Sequence, residues 1–318
     1  MLRGIDGNQR KEVVRLTKWL KGSACPQLLL LTNMLIAGGV PYWKQHLNIP
    51  IVATLQGDDV FLDYLPEPFR QQATDAIRNL ARYVDGFLTH SHFYADAMAR
   101  RFDLDRAKIF VTPLGIDTTD FESLVKRPSA GILTIGYLAR LAPEKGLHLL
   151  VEAFIRLKQR PDAHHIKLLI AGWLSDQHRS YAENLFAKLH SHGLDRDFEY
   201  LGVVNRAQKL TMLARCDVFS VPSVFQEPKG LYALEAMAAG VPVVFPAHGA
   251  FPELLDAAQT GWRFPPGDVD ALTTLLQQVL ADESARRIAS EVGRRFVLEN
   301  RNARTAAEET EAVLRRLL

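Results

Sequence analysis

Short apolar runs alternate with longer amphipathic stretches along the whole chain. In the first part, four runs rich in apolar and β-branched residues predict strands at 28–33, 51–56, 86–90 and 109–114. Between them, as over 67–83 and 91–101, apolar residues recur at helical spacing. Continuous apolar strands separated by helices are typical of parallel sheets that are covered on both faces.

The second part of the chain repeats this scheme. Five more apolar runs predict strands at 132–138, 166–172, 198–202, 218–223 and 241–246. A chain of 318 residues is also longer than one typical core requires. We therefore expect an α/β protein of two domains, 1–125 and 126–318. The polar stretch 125–130 is the predicted linker, and a C-terminal helix closes the second domain.

The chain begins on a basic helix rather than on a strand. Residues 1–21 contain six cations and two anions, a net charge of +4. Val13, Leu16, Trp19 and Leu20 form an apolar stripe at helical spacing. Two interpretations stay open: this helix packs on the first sheet, or it makes a peripheral contact with a membrane surface. With about four strands and no earlier strand and glycine loop, the first domain is predicted to be incomplete.

Composition excludes several classes of protein. A hydrophobic content of 47% with 23% charged residues is that of an ordinary globular protein, and a formal charge of +2 gives no indication of a nucleic-acid partner. Cys25 and Cys216 lie far apart, without the spacing of a disulfide framework or a zinc site. The apolar stretch 28–40 is too short and too interrupted to span a bilayer. We expect a cytoplasmic protein, with peripheral contact to the inner face of the membrane as the alternative.

A first group of candidate site residues follows the strand at 132–138. Arg140 and Lys145 flank the turn that leads into a helix predicted at 146–158. Two cations and a helix N-terminus at the carboxyl end of a strand favour an anion, such as a diphosphate. Parallel α/β sheets bind ligands at this edge.

A second group follows the strand at 218–223. Gly230 and Leu231 are predicted to begin a helix, so their backbone N–H groups are free to meet an anion or a sugar oxygen. Glu227 lies in the loop before this helix, where a carboxylate is ordinarily solvated. Glu235 lies inside the helix among small and apolar neighbours, and a carboxylate buried there needs a partner.

Three D-x-D triplets could suggest metal–diphosphate binding, but their surroundings favour other roles. The triplets at 103–105 and 195–197 lie in polar loops. In the third, Asp268 is predicted to be a helix N-cap, with Asp270 in the first turn. We predict no metal site.

Three motifs together resemble one enzyme family. "GYLARLAPEKG", "PSVFQEPKGLYALEAMAAGVPVVFPAHGAFPEL" and "VTPLGIDTTDF" are similar to the signature of the family 4 retaining glycosyltransferases of the GT-B type. The likeness covers roughly residues 105–300, and the motifs occur in the expected order. The family's fold is a pair of Rossmann-like domains, so the resemblance implies two such domains here, the N-terminal one incomplete.

The resemblance implies roles for the candidate residues. Arg140 and Lys145 would hold the diphosphate of a nucleotide-sugar donor, and Glu227 would contact the transferred sugar. Glu235 would bind the ribose hydroxyls. Backbone amides after Gly230 would assist at the phosphate, and Lys229 and Leu231 are included among the donor-binding residues. Arg140, Lys145 and Glu227 are the catalytic candidates, and neither a metal nor another cofactor is expected.

The resemblance is weaker in the first domain. His90 ends a strand at the predicted binding edge and is a candidate for contact with the acceptor, as is Gln56, which stands where the family often has a histidine. Leu114 replaces the asparagine of the family's "PNG", and "EPKG" at 227–230 replaces its common "EGFG". The family's initial strand and glycine-rich loop are not recognisable before Gln9, so we expect a truncated enzyme whose own activity is uncertain.

The leading hypothesis is therefore a hexosyltransferase-type glycosyltransferase of polysaccharide or glycolipid biosynthesis. It would move a sugar from a nucleotide-sugar donor to a glycan or lipid-linked acceptor with retention of configuration. The alternatives are a catalytically impaired nucleotide-sugar-binding protein or fragment, and another GT-B nucleotide-sugar enzyme such as an epimerase. No nucleic-acid partner is expected. An oxidoreductase or a P-loop ATPase is disfavoured, because neither glycine motif is found.

Overall fold

The computed structural model describes residues 1–125, 131–160, 163 and 165–318. Apart from Val125, the predicted linker therefore lies outside the described residues. The chain divides into two compact units, and each has its own parallel sheet.

Unit 1 comprises Met1–Leu114 and Ala306–Leu318, and unit 2 comprises Gly115–Thr305. This division differs from the predicted boundary at 125/126, and it assigns the end of the C-terminal helix to unit 1. The reason is a contact inside unit 1. A Cβ atom added at Gly86 would lie 3.0 Å from a terminal carbon of Leu317, so the end of the chain packs against the first sheet.

Unit 1 contains a four-stranded parallel sheet in the order β1-β2-β3-β4. Its elements, in chain order, are α1 (Arg10–Trp19), β1 (Leu29–Leu31), α2 (Val40–His46), β2 (Ile51–Thr54), α3 (Asp58–Asp63), α4 (Phe69–Ala81), β3 (Gly86–Thr89), α5 (His92–Phe102) and β4 (Ile109–Val111). The strands are apolar because both faces are covered: every residue of β3 is buried, as are Ile51, Val52 and Ala53 of β2.

Unit 2 has a four-stranded parallel sheet in the order β7-β6-β5-β8 and a parallel pair, β10-β9. Its elements are α6 (Thr119–Glu122), β5 (Leu133–Leu138), α7 (Leu147–Lys158), β6 (Ile166–Ala171), α8 (Arg179–Ser191), β7 (Phe198–Tyr200), α9 (Arg206–Ala214), β8 (Val218–Phe219), α10 (Leu231–Ala238), β9 (Val244–Pro246), α11 (Phe251–Ala258), β10 (Trp262–Phe264), α12 (Val269–Ala281) and α13 (Glu283–Asn300). The last helix, α14 (Ala303–Arg315), begins in unit 2, and its residues from Ala306 onward belong to unit 1. A bridge between Phe219 and Val243 links the pair to the larger sheet.

Local sequence signals fix several helix starts. Ser91 caps α5 through its side chain, and Asn205 forms a reciprocal capping box with Gln208 at the start of α9. Asp268 caps α12, as predicted, and its carboxylate accepts from the N–H of Ala271. The α/β class and the parallel pairing of the strands are confirmed.

Candidate functional site

The candidate donor site of unit 2 is formed by two loops that begin at neighbouring strands. Because β5 and β8 pair in parallel, the loops after them meet at the same edge of the sheet. The carbonyl oxygen of Glu144 accepts hydrogen bonds from Ser223 Oγ at 3.1 Å and from the N–H groups of Val224 and Phe225 at 3.0 and 3.1 Å. This one oxygen holds the two loops together.

The loops approach so closely that one position requires glycine. Gly146 has φ +71°, and a Cβ atom there would lie 1.8 Å from the carbonyl oxygen of Pro222. A side chain is excluded by contact with backbone as well as by the left-handed conformation. Gly146 also immediately precedes α7, which begins at Leu147 as the sequence predicted to within one residue.

The loop after β5 presents both predicted cations. Tyr137, buried in β5, donates its hydroxyl to the carbonyl oxygens of Arg140 and Lys145, at 3.2 and 3.5 Å, and so fixes the ends of this loop. Arg140 donates to Glu144 Oε1 at 3.0 Å, and half of its side chain is exposed. Its guanidinium therefore keeps donors that face solvent.

Lys145 and Glu227 form an ion pair across the two loops. The pair is largely removed from solvent, since the lysine side chain is 14% exposed and the glutamate side chain 8%. The ammonium also lies 5.8 Å from the ring centre of Phe225 and 5.9 Å from that of Tyr232. Aromatic faces attract cations, so these rings help to hold the charged ammonium in place.

Tyr232, in the first turn of α10, adds a hydroxyl beside this pair. Its oxygen is buried and, among the described residues, makes no hydrogen bond of ordinary geometry. Burial, followed by the neighbouring Glu227 carboxylate, raises the pKa of Tyr232 well above its usual value. The hydroxyl therefore stays protonated, and its proton faces the Glu227 carboxylate.

Glu235, on α10, forms an ion pair with Lys209 of α9. Both side chains are about one-fifth exposed, at 20% and 22%. The lysine bonds Oε1 of Glu235, and within the described chain Oε2 has no protein partner. The carboxylate is thus held in position by one oxygen while the other can accept from a ligand hydroxyl.

The N-terminus of α10 lies between these two carboxylates in the sequence. Gly230 precedes the helix with φ +66°, and no described side chain caps this end. A Cβ at Gly230 would lie 3.1 Å from the Phe251 ring, so the apolar wall behind the turn leaves little room. Leu231 is 43% exposed and Lys229 is partly buried. The unbonded N–H groups of the first turn suit an anion or a sugar oxygen.

The environments of the two glutamates differ from the expectation. The sequence left a solvated loop charge open for Glu227, and it indicated that Glu235 is buried and needs a partner. Instead Glu227 is the more buried of the two, and both have lysine partners. Nothing in local spacing indicated Lys209, which lies 26 residues before Glu235, or Tyr232 as a buried donor.

The two candidates of unit 1 lie at the carboxyl ends of neighbouring strands. Gln56 follows β2 and donates to the Thr32 carbonyl oxygen at 2.7 Å. His90 follows β3, and its Nδ1 lies 2.9 Å from the Thr112 carbonyl oxygen. Gln56 thus contacts the end of β1, and His90 contacts the end of β4, in each case a neighbouring strand. The acceptor role of these two residues stays a prediction.

The described residues contain neither a metal-binding cluster nor a helix that could span a membrane. No group of three or more histidine, cysteine, aspartate or glutamate residues in those residues could hold a metal ion. Among the described helices, none is long and apolar enough to cross a bilayer.

Comparison with known proteins identifies the family. The model of "Glycosyl transferases group 1" matches residues 124–296, more than half of the chain, and that of "Glycosyltransferase Family 4" matches residues 10–120. This chain belongs to the group 1 glycosyltransferases. The enzyme family expected from the motifs is confirmed, and a glycosyltransferase is the enzyme class that it supports.

Relatives of this glycosyltransferase include polymer-forming enzymes. Glycogen synthase of Mycobacterium tuberculosis is 28% identical over 98% of this chain and 70% of its own length. The putative colanic acid biosynthesis glycosyltransferase WcaL of Escherichia coli is 31% identical over 67% of this chain and 52% of its own length. A solved structure of HepE from Anabaena, in complex with UDP, has a TM-score of 0.81 at 21% identity, over 96% of this chain and 82% of HepE. The fold is that of the GT-B glycosyltransferases.

Proposed function

We propose that this glycosyltransferase transfers a hexosyl group from a nucleotide-sugar donor to a hydroxyl of a glycan or lipid-linked acceptor. The donor would bind in unit 2, on Arg140, Lys145, Glu227, Lys229, Gly230, Leu231 and Glu235. The observation that carries the proposal is the meeting, at one sheet edge, of the Lys145–Glu227 pair, an exposed guanidinium and the uncapped start of α10. The UDP complex of the similar HepE structure supports a nucleotide ligand.

Each part of the donor has a chemical complement in this set. The diphosphate suits Arg140, Lys145 and the N–H groups at Gly230 and Leu231. The sugar hydroxyls suit the Glu227 carboxylate. The ribose hydroxyls suit the unpaired oxygen of Glu235, because a carboxylate can accept on both of its oxygens.

The proposed reaction retains the anomeric configuration. The bond from the anomeric carbon to the diphosphate oxygen breaks, and the acceptor oxygen attacks from the same face. The proton of the acceptor hydroxyl passes to the departing phosphate oxygen. Arg140 and Lys145 stabilise the charge that develops on that group, so these side chains can act without a metal. Gln56 and His90 are the candidates for contact with the acceptor.

Thermal unfolding with UDP, GDP and ADP tests the donor site. A nucleotide that binds only the folded chain, at about 100 times its Kd, raises the free energy of unfolding by about 2.7 kcal/mol. We expect one base to do so, and Arg140→Ala and Glu235→Ala to abolish the effect. Arg263→Ala is the matched control, because this exposed arginine of unit 2 also pairs with a carboxylate. No response to any nucleotide would contradict the proposed donor.

Turnover with the matching nucleotide sugar tests catalysis separately. Arg140→Ala should lower kcat/KM about 10²-fold, equivalent to about 3 kcal/mol of transition-state stabilisation. The anomeric configuration of the product, read by NMR, tests retention. Nucleotide binding without acceptor-dependent turnover would favour a nucleotide-sugar-binding protein that does not transfer.

A further inference from the structure

The apolar stripe of the first helix divides into a buried half and an exposed half. Val13 and Leu20 are 8% and 5% exposed and belong to the core of unit 1. Leu16 and Trp19 are 39% and 56% exposed. Because residues three apart adjoin on a helix, Leu16 and Trp19 form one apolar patch on its outer side. Packing on the sheet explains only half of the stripe.

Five exposed cations lie beside this patch on the helix, and the exposed carboxylate of Glu12 lies within it. The cations are Arg10, Lys11, Arg15, Lys18 and Lys21. Within the described chain, none of these five side chains has an ion pair or a hydrogen bond. Elsewhere in unit 1, Arg70, Arg78 and Arg101 all pair with carboxylates. We call the five cations, Leu16 and Trp19 the α1 face.

We propose that the α1 face binds the surface of an anionic lipid bilayer and lies along it. Acidic headgroups attract unpaired cations that lie beside a membrane. An exposed tryptophan and leucine supply the apolar contact that holds a helix at the boundary between headgroups and acyl chains. The surface is independent of the donor site, so this binding goes beyond the proposed function and is measurable without any sugar substrate.

The composition of the α1 face favours a bilayer over a nucleic acid. A helix that reads DNA presents polar side chains such as asparagine, glutamine or arginine to base edges. Here two large apolar side chains, Leu16 and Trp19, are exposed beside the cations, and Trp19 is more than half exposed. The formal charge of the whole chain is also only +2, so the positive charge is local to the first helix.

Vesicle flotation of the full chain tests this surface. We expect binding to phosphatidylcholine vesicles that contain about one-third phosphatidylglycerol, and none to phosphatidylcholine alone. Lys18→Ala should weaken binding about fivefold and Trp19→Ala about tenfold. Trp173→Ala and Arg100→Ala are the matched controls. Trp173 is 55% exposed in unit 2, Arg100 is exposed on α5, and both variants should bind unchanged.

Fluorescence gives a second measurement, made at lipid concentrations that saturate both the unmodified chain and Trp19→Ala. Brominated acyl chains should quench part of the tryptophan emission of the unmodified chain, and that part should be missing in Trp19→Ala. About 0.5 M salt should weaken binding, because exposed charges are then screened. Any one of three results would overturn the proposal: no binding to vesicles, an equal loss of binding in the control variants, or binding to duplex DNA but not to vesicles.

Discussion

Glu227 is a buried carboxylate with a cation beside it, and burying a carboxylate without a partner is costly. Lys145 is that cation, and it comes from a loop 82 residues earlier in the chain. Under the proposed function the same ammonium also binds the donor diphosphate. Lys145 therefore contributes both to folding stability and to donor binding, and the two contributions must be separated by experiment.

A double-mutant cycle separates them. Lys145→Met leaves Glu227 buried without a partner, so we expect the free energy of unfolding to fall by about 3 kcal/mol. In Lys145→Met/Glu227→Gln the uncompensated charge is gone, and at least half of the loss should be recovered. Nucleotide binding should stay weak in both. Urea unfolding measures the first effect, and equal stability of the single and double variants would show that the pair has no structural role.

Lys209 forms the ion pair that orients the carboxylate of Glu235. Because this pair is about one-fifth exposed, Lys209→Met should cost only about 1 kcal/mol of stability. Nucleotide affinity should fall about tenfold, since the carboxylate loses the contact that orients it. Lys188→Met is the control, because it breaks the pair with Glu152 in the same unit. Calorimetric titration measures the affinity. If Lys209→Met and Lys188→Met bind the nucleotide equally well, Lys209 does not position Glu235.

At the scale of the elements, α7 and α8 are joined by a histidine and a tyrosine. The hydroxyl of Tyr181 accepts from the His148 backbone N–H at 3.1 Å and lies 2.9 Å from the His148 Nδ1. A neutral imidazole with an unprotonated Nδ1 can accept the hydroxyl proton of Tyr181, and a protonated imidazole loses that hydrogen bond. Burial lowers the pKa of His148 and raises the pKa of Tyr181 to about 12.

This contact predicts a dependence of stability on pH. Between its lowered pKa in the folded chain and its ordinary value of about 6.5, His148 binds a proton more readily when unfolded. Its contribution is therefore present above about pH 6.5 and lost as the pH falls below it. Urea unfolding at about pH 7.5 and about pH 5.5 should show a smaller decrease for His148→Gln than for the unmodified chain. Identical decreases would contradict the assignment.

Elements were predictable where the apolar pattern is continuous. All nine predicted strands exist, and those at the middle of the sheets, such as β3 and β6, are mostly buried runs. Leu30 of β1 and Glu199 of β7 are exposed. Strand ends were less predictable. β8 stops at Phe219 rather than 223, and Pro222 in the predicted remainder has no N–H for a ladder. β10 was missed: it is three residues long, and Arg263 at its centre is exposed.

At the scale of the whole molecule, the α/β class and the family were predictable from motifs that are contiguous in sequence. The pairings within the candidate site were not. Lys145–Glu227 and Lys209–Glu235 join residues 82 and 26 positions apart, and spacing alone does not encode such contacts. The boundary between the two units also differs from the predicted one. Leu317 packs on the first sheet, and local sequence pattern does not encode a contact between residues so far apart in the chain.

The close approach of Gly146 to Pro222 has a consequence for engineering. Because there is no room for a methyl group between Gly146 and Pro222, the loops after β5 and β8 cannot move closer together. Exchanging one of these loops for that of a relative, as in attempts to change sugar specificity, would separate the shared carbonyl of Glu144 from its three donors. The two loops therefore form one structural unit, and a chimaeric protein should take both loops from the same parent.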